Sequence, residues 1–256
     1  MFDLITLYHL IFIVKIKNIM TICILGNGLT ALTLAKALVN CEINVDVLFN
    51  EKNYKINRSR TIGITKNNID FFNNNIINIE KIIWKIKRIE IFSENLKEEK
   101  LINFKTNNTQ LFSILKNHKL YNLLEKNLSK NKFFKSKYYN EKDFFFLNKY
   151  ELIINCDSSN LITNRYFSKK IIKEYNSNAY TTIIKHDEIL NDSAVQIFTK
   201  KGPLAFLPYS NRETSIVFSV HNSKDQKNIN IEQLIRDNNF KYKIKSLEKI
   251  SSFELE

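Results

Sequence analysis

The sequence predicts an α/β protein: a Rossmann-like domain interleaved with a mostly antiparallel β-sheet domain of α+β character. Three observations carry this. First, the apolar run Thr21–Leu25 has no alternation and is broken by Gly26-Asn27-Gly28; helical spacing follows over residues 29–39 and a β-rich run over 44–49. That order is a β-turn-α-β unit. Second, Tyr150–Cys156 is another unalternated apolar run, ending at Asp157. Third, from Ala179 four strand-like segments follow one another with no helix between them. A chain that starts as parallel α/β, leaves, returns to a buried strand and ends in consecutive strands fits two interleaved domains.

Each element has its own reason. Thr21–Leu25 and Tyr150–Cys156 read as strands buried on both faces. Over Leu29–Val39, Leu32, Ala35 and Leu38 form one stripe, with Ala31 and Ala35 small enough for close packing. Ile69–Phe72 and Ile76–Trp84 read as helical or mixed, and Asn73–Asn75 as a loop. Trp84–Phe92 alternates, with Ile86, Ile89 and Ile91 set against Lys85, Lys87, Arg88 and Glu90, which predicts one half-exposed strand paired with Lys100–Lys105. Leu120, Leu123, Leu124 and Leu128 predict a helix over His118–Ser129. Lys130–Tyr139 is expected as a surface hairpin between that helix and the Tyr150 strand. Ala179–Lys185, Ala194–Thr199, Leu204–Pro208 and Thr214–Val220 are predicted strands, and Ile231–Asn238 a helix.

Composition narrows the classes. Hydrophobic residues at 44% and charged residues at 25% are those of an ordinary globular protein. The net charge of +13 invites a nucleic-acid or anionic-membrane partner. The lysines are spread along the chain and mixed with Glu and Asp, and heavy joint use of Lys, Asn and Ile is the mark of an A/T-rich coding bias. Nucleic acid is therefore not the expected partner, although Lys130–Tyr139 interleaves lysine with Phe133, Phe134, Tyr138 and Tyr139 as single-stranded nucleic acid would favour. Cys23, Cys41 and Cys156 are odd in number and far apart, with no CxxC, so neither a disulfide framework nor a zinc site is expected. The four histidines have no metal-ligand spacing. Leu4–Val14 is mostly apolar, interrupted by Thr6 and His9, and shorter than the roughly 20 residues a membrane span needs. It also lacks the flanks of a signal peptide. Met20 is the expected true start, with residues 1–19 an extension. A reducing cytoplasm is the expected setting.

Four glycines and two prolines are all the chain has, against an average glycine use of about 7%. Glycine that survives such depletion is expected where the backbone needs it. The first such place is Gly26-Asn27-Gly28-Leu29-Thr30-Ala31, a GxGxxA pattern. Its first glycine allows the tight turn, its second lets the backbone approach a diphosphate, and the phosphates meet a helix N-terminus. The competing reading is a plain tight turn. The acid expected about 20 positions on, for the ribose hydroxyls, is Phe49 here; Asp46 lies inside the strand and Glu51 two residues past it. The second place is Arg58–Thr65, where Arg60 could clamp phosphate as a fork donor, or be an ordinary surface arginine. The third candidate is Asp157, at the C-terminal end of a buried strand where open sheets bind ligands, or simply capping its loop. The fourth is Gly202-Pro203-Leu204-Ala205-Phe206-Leu207-Pro208, read as an extended edge: a wall beside a ligand, or a strand end.

Together these residues resemble the flavin-dependent aromatic hydroxylases, most closely the ubiquinone-biosynthesis branch. Gly26–Ala31 looks like that family's FAD fingerprint, and Arg60–Thr65 like its Arg-x-x-Ala-Leu-Ser segment near the flavin pyrophosphate. Trp84 falls at a Leu-Trp position, and Tyr150–Asp157 resembles the strand into the Asp-Gly motif that serves FAD and NAD(P)H. Gly202–Pro208 is similar to a Gly-Pro-Leu-Ala-Leu-Leu-Pro stretch on the substrate-facing sheet. The resemblance implies an FAD-binding domain over residues 20–79 and 108–165 and a substrate-domain sheet over 80–107 and 166–256. It implies FAD at Gly26, Asn27, Gly28, Leu29, Thr30, Ala31, Arg60 and Asp157, and substrate beside Gly202, Pro203, Leu204 and Phe206. NAD(P)H would be the co-substrate, and O2 and a hydrophobic polyprenyl-phenol-like aromatic the reactants, within a ubiquinone-biosynthesis assembly peripheral to the inner membrane face. No catalytic acid or base is implied, because the cofactor carries the chemistry. The departures are Ser158 for the glycine of Asp-Gly, Phe49 for the ribose acid, and an end at Glu256 ahead of the family's Gly-Asp motif, so the C-terminal part of the flavin domain is expected to be absent. The alternative is a non-catalytic remnant or scaffold of the same fold.

Overall fold

The computed structural model describes residues 21–50, 57–94, 99–106, 110–139, 145–167, 171, 173, 175–221 and 230–255. The proposed start at Met20, the 1–19 extension and Glu51 lie outside these. The chain forms two compact units: the described residues of Met1–Ile56, Phe71–Asn78 and Lys119–Lys170 in one, and those of Asn57–Asp70, Ile79–His118 and Ile171–Glu256 in the other. The α/β architecture with a parallel sheet and a larger, mainly antiparallel sheet is as the sequence predicts.

In the first unit, β1 (Thr21–Leu25) lies between β2 (Asn44–Phe49) and β9 (Leu152–Asn155), parallel to both. Beyond β2 comes β8 (Phe134–Tyr138), also parallel, giving the order β8-β2-β1-β9. Cys23, Ile24 and Leu25 are wholly buried, the fate of a strand covered on both faces. Burial pushes the Cys23 thiol up to about 12, with Asp46 adding to the effect; it packs as a small hydrophobe. Helix α1 (Leu29–Asn40) buries Ala31, Leu32, Ala35 and Val39; later in the chain come the short helix α2 (Lys66–Phe71) and α3 (Asn117–Leu128), the latter burying Leu120, Leu124 and Leu128. A π-helical turn over Phe72–Ile76 takes in the asparagine run expected as a loop. The Lys130–Tyr139 hairpin is corrected: residues 134–138 are the edge strand β8, because Phe134, Ser136 and Tyr138 alternate with Lys135 and Lys137 and an edge tolerates lysine.

In the second unit, β3 (Thr61–Ile64) and β4 (Ile83–Ile86) flank β7 (Phe112–Lys116), antiparallel to both. The large sheet also contains β5 (Arg88–Ser93), β6 (Lys100–Lys105), β10 (Ser177–His186), β11 (Ser193–Thr199), β12 (Gly202–Pro208), β13 (Glu213–His221) and β14 (Ile244–Leu247). Its order is β14-β10-β13-β12-β11-β5-β6, with β15 (Ser251–Leu255) also on β10. The single strand expected over Trp84–Phe92 is two strands in two sheets. The break falls at Lys87, whose N–H, with that of Arg88, turns to the Asp192 carbonyl at 2.8 and 3.2 Å. Alternation alone could not reveal a change of sheet. Helix α5 (Ile231–Asp237), capped by Asn230, buries Ile231 and Ile235 in the same core cluster as Phe206, Ile216 and Phe218.

A buried polar group in this unit carries a pH dependence. His186 is 3% exposed; its Nδ1 lies 2.7 Å from the Asp187 carbonyl and its Nε2 3.0 Å from Thr214 Oγ1. The Tyr242 hydroxyl donates to Asn191 Oδ1, and Asn191 donates to Thr214. Burial lowers the His186 pKa against the opposing pull of Asp187 and Glu213, with Lys241 adding to the lowering. The unfolded chain therefore takes up the proton first, and stability held above about pH 6.5 is lost as pH falls. The thermal midpoint is expected to drop between about pH 7.5 and about pH 5.5, with a smaller drop in His186→Gln. An equal drop in both proteins would place the acid sensitivity elsewhere.

Candidate functional site

The strand β1 ends at Gly26, whose φ of +106° belongs to glycine. Its N–H donates to the Leu48 carbonyl at 2.8 Å. A Cβ here would lie 3.1 Å from the Asp157 Cβ and 3.4 Å from the Cys156 carbonyl carbon. The turn then passes through Asn27 to Gly28, the N-cap of α1, at φ −74° and ψ 178°. Any residue adopts that conformation, so Gly28 is not there for its backbone freedom. No side chain caps the helix, and its first turn has no acid. Leu29, Thr30 and Ala31 thus open a twelve-residue helix whose first N–H groups have no intrahelical acceptor. The local field is positive. This is a bare cradle suited to an anion, flanked by residues small enough for the ligand to come close.

Next to this turn, β9 leads into Asp157. The Asp157 Oδ1 accepts from the Ser159 N–H at 2.9 Å and from its hydroxyl at 2.6 Å, so this carboxylate caps its own loop. Sequence reasoning missed the groups around it. Asn155 accepts from the Asp157 N–H and from Asn160, and donates to Thr163 at 2.7 Å. Asn160 caps the short helix α4 (Leu161–Tyr166) through the Thr163 N–H. The signal was present: an Asn three residues before Thr163, ahead of an apolar pair. Asp46 is likewise committed. It is buried at 6% exposure, and its Oδ2 accepts from the Tyr150 hydroxyl at 2.6 Å and from Lys137 at 2.9 Å. Burial is the largest single effect and pushes its carboxyl up, but these two donors and the charges of Lys137 and Lys135 together outweigh it and hold the carboxyl below the usual range. Phe49 stands edge-on to Tyr138, centroids 6.3 Å apart. Beside β9 and α4 runs a groove of about 1470 Å³, lined in part by Tyr150, Ile153, Ile162, Arg165, Tyr166 and Phe167.

The other candidates belong to the second unit. The Arg60 guanidinium lies 4.4 Å from the Phe253 ring centroid, a cation–π contact. Gly63 has ordinary strand backbone, and a Cβ there would meet Phe112 at 3.5 Å, a normal contact; the expectation that the backbone needs this glycine is corrected. The Gly202–Pro208 edge is corrected too. The stretch is β12, an interior strand between β11 and β13. Its prolines are tolerated because Pro203 pairs only with β11 and Pro208 only with β13, so each sits where one ladder has ended. Leu204 and Phe206 point into the core, Phe206 stacked on Tyr242 at 5.8 Å. Pro203, Ala205 and Leu207 occupy the opposite, half-buried face.

No family model matches the chain, and no curated protein matches it in sequence. Solved structures do match. A probable FAD-dependent monooxygenase from Pseudomonas aeruginosa, PqsL, superposes with a TM-score of 0.65 at 12% identity, over 85% of this chain and 66% of that one. HpxO from Klebsiella pneumoniae, solved with FAD and uric acid, gives 0.65 at 14% identity over 86% and 61%. The 2,6-dihydroxypyridine-3-hydroxylase of Arthrobacter nicotinovorans gives 0.62 at 11% identity over 82% and 58%. The chain has the fold of FAD-dependent monooxygenases. It spans about three fifths to two thirds of the length of these structures. Among the described residues no three His, Cys, Asp or Glu side chains gather as a metal site requires, and no helix is long and apolar enough to cross a membrane.

Proposed function

We propose that the chain binds FAD at the Gly26–Ala31 turn and serves as a monooxygenase on an aromatic ring, with a ubiquinone precursor as the substrate. The observation that carries this reading is Gly28. In a chain with four glycines, one occupies an ordinary extended conformation at an uncapped helix N-terminus. Glycine is an accepted N-cap, and its lack of a side chain also leaves the approach to this helix start clear for a ligand. The residues fit a diphosphate: Gly26 opens the turn, Gly28 leaves the approach clear, and the N–H groups at the start of α1 would donate to phosphate oxygens. The FAD-containing fold of HpxO supports the choice of FAD. When bound, FAD would supply the redox chemistry, with NAD(P)H as reductant and O2 as oxidant. The chain's own part is to hold the diphosphate.

The second reading, a scaffold of the same fold without flavin, is favoured by Asp46 and Asp157, whose carboxylates are already engaged internally. One titration separates the two. Purified chain mixed with FAD is expected to take up about one equivalent and quench flavin fluorescence, while Gly26→Ala, strained at φ +106°, takes up little. A wild-type chain that remains colourless after such reconstitution overturns the flavin reading. Turnover then needs NAD(P)H oxidation coupled to hydroxylation of a polyprenyl phenol. Flavin binding without any hydroxylated product would leave the cofactor proposal standing and remove the substrate one.

A further inference from the structure

Lys241 lies in the second unit, in the segment between α5 and β14. Two aromatics fix the chain on either side of it. Phe240 stands edge-on to Phe92 of β5, centroids 4.8 Å apart, while Tyr242 stacks on Phe206 and donates to Asn191. Held between them, the half-buried Lys241 donates from Nζ to the Ser193 carbonyl at 3.0 Å. Two carboxylates act on this amine, Glu90 of β5 and Asp192 just before β11, and each is taken by another cation. Lys100 donates to Glu90 Oε1 at 2.6 Å, the Ser193 hydroxyl donates to Glu90 Oε2 at 3.2 Å, and Arg88 donates to Asp192 Oδ1 at 3.0 Å. Among the described residues Lys241 makes no ion pair of its own. Lys241, Lys100 and Arg88 thus share two carboxylates, and the charges balance only when the Lys241 nitrogen is neutral.

We propose that Lys241 is an acyl-acceptor site, modified at Nζ by a small acyl phosphate to give a neutral amide. Charge selects both the product and the donor. An amide leaves Arg88 and Lys100 balanced by Glu90 and Asp192, whereas an ammonium, or the carboxylate of a carbamate, leaves one charge over in a partly buried place. The surplus of positive charge before reaction attracts a donor that carries phosphate. Burial, with Arg88 and Lys100 adding to it, lowers the amine to about 8 against the pull of Glu90 and Asp192. At about pH 7.5 roughly a quarter of it is therefore unprotonated, against on the order of a thousandth for an exposed lysine. The reaction is an acyl transfer. The Nζ lone pair attacks the acyl carbon and a C–N bond forms. The C–O bond to phosphate breaks, phosphate leaves with the electron pair, and the nitrogen gives one proton to solvent. The remaining amide N–H keeps its bond to the Ser193 carbonyl.

Timed treatment of the purified full chain with acetyl phosphate at about pH 7.5, read by peptide mass spectrometry, tests this. Lys241 is expected to be acetylated at least about tenfold faster than the exposed Lys87 and Lys243, less than the ratio of unprotonated fractions because half-burial hinders the approach. In guanidinium chloride, where the chain is unfolded, that advantage should vanish. Lys100→Gln, a change at an exposed side chain, releases Glu90 to pair with Lys241, and is expected to slow acetylation at Lys241 at least about threefold. Lys241→Gln stands in for the amide and should melt no lower than the wild type at about pH 7.5; Lys241→Arg, permanently charged, should melt below Lys241→Gln. A Lys241 that reacts no faster than Lys87 and Lys243 overturns the proposal. So does an advantage that survives unfolding, a rate indifferent to Lys100→Gln, or a Lys241→Arg chain that melts above Lys241→Gln.

Discussion

Gly202→Ala is expected to cost the second unit about 4 kcal/mol, much of the 5–15 kcal/mol that holds a typical protein folded. Two penalties add. At φ +137° the backbone lies where side chains are strained, which costs about 1–3 kcal/mol. The new Cβ would also overlap the carbonyl oxygen of Ser219, and overpacking costs about 1–3 kcal/mol more. Ser219 is backbone in β13, so relief means opening a ladder. The turn is also fixed by Thr199, whose Oγ1 donates to the Gly202 carbonyl at 2.7 Å. Gly63→Ala is the control. Its Cβ would find Phe112 at 3.5 Å, and the change should stay within about 0.5 kcal/mol. Urea unfolding of the two variants measures both. A Gly202→Ala protein within about 1 kcal/mol of wild type would mean that β12 and β13 are not packed as described.

What the sequence revealed was decided by burial on both faces. Thr21–Leu25, residues 29–39 and 44–49 show their structure because a parallel strand and its crossover helix need continuous apolar runs and small residues in a fixed order, with glycine between them. The four strands between Ser177 and His221 were equally plain, whereas β14 and β15 were not expected. What stayed hidden depends on pairings between distant segments. Nothing local in Trp84–Phe92 says that Lys87 leaves one sheet for another, since the deciding partner is the carbonyl of Asp192. The interior position of β12 was masked by its prolines. Their cost vanishes only because β11 and β13 overlap the strand at different ends. The site divides the same way. The turn and uncapped helix start of the GxGxxA segment were legible, whereas the commitments of Asp46 to Tyr150 and of Asp157 to Ser159 were not, because side-chain direction sets them. Glycine depletion was a good guide at Gly26 and Gly202 and a poor one at Gly63, where the conformation is ordinary.

The test that most directly isolates the diphosphate cradle is Gly28→Asp, because stability and binding should move in different directions. At φ −74° and ψ 178° an N-cap aspartate fits without strain. Its carboxylate would accept from the free N–H groups of α1 and complement the helix dipole, so the ligand-free chain should melt at the same temperature or slightly higher. For FAD the same carboxylate is a fixed negative charge where the diphosphate must sit. Two unit charges about 4 Å apart at an effective dielectric near 20 repel by about 4 kcal/mol, roughly a thousandfold in affinity. Gly28→Asn supplies nearly the same bulk and the same capping oxygen without the charge, and should weaken FAD far less. The gap between the two variants therefore measures charge at the turn, and added salt should narrow it. If FAD binds both variants as it binds the wild type, phosphate does not lie over this helix, whatever else the fold retains. If both lose it equally, bulk rather than charge closes the approach, and the N–H groups of α1 are not the donors.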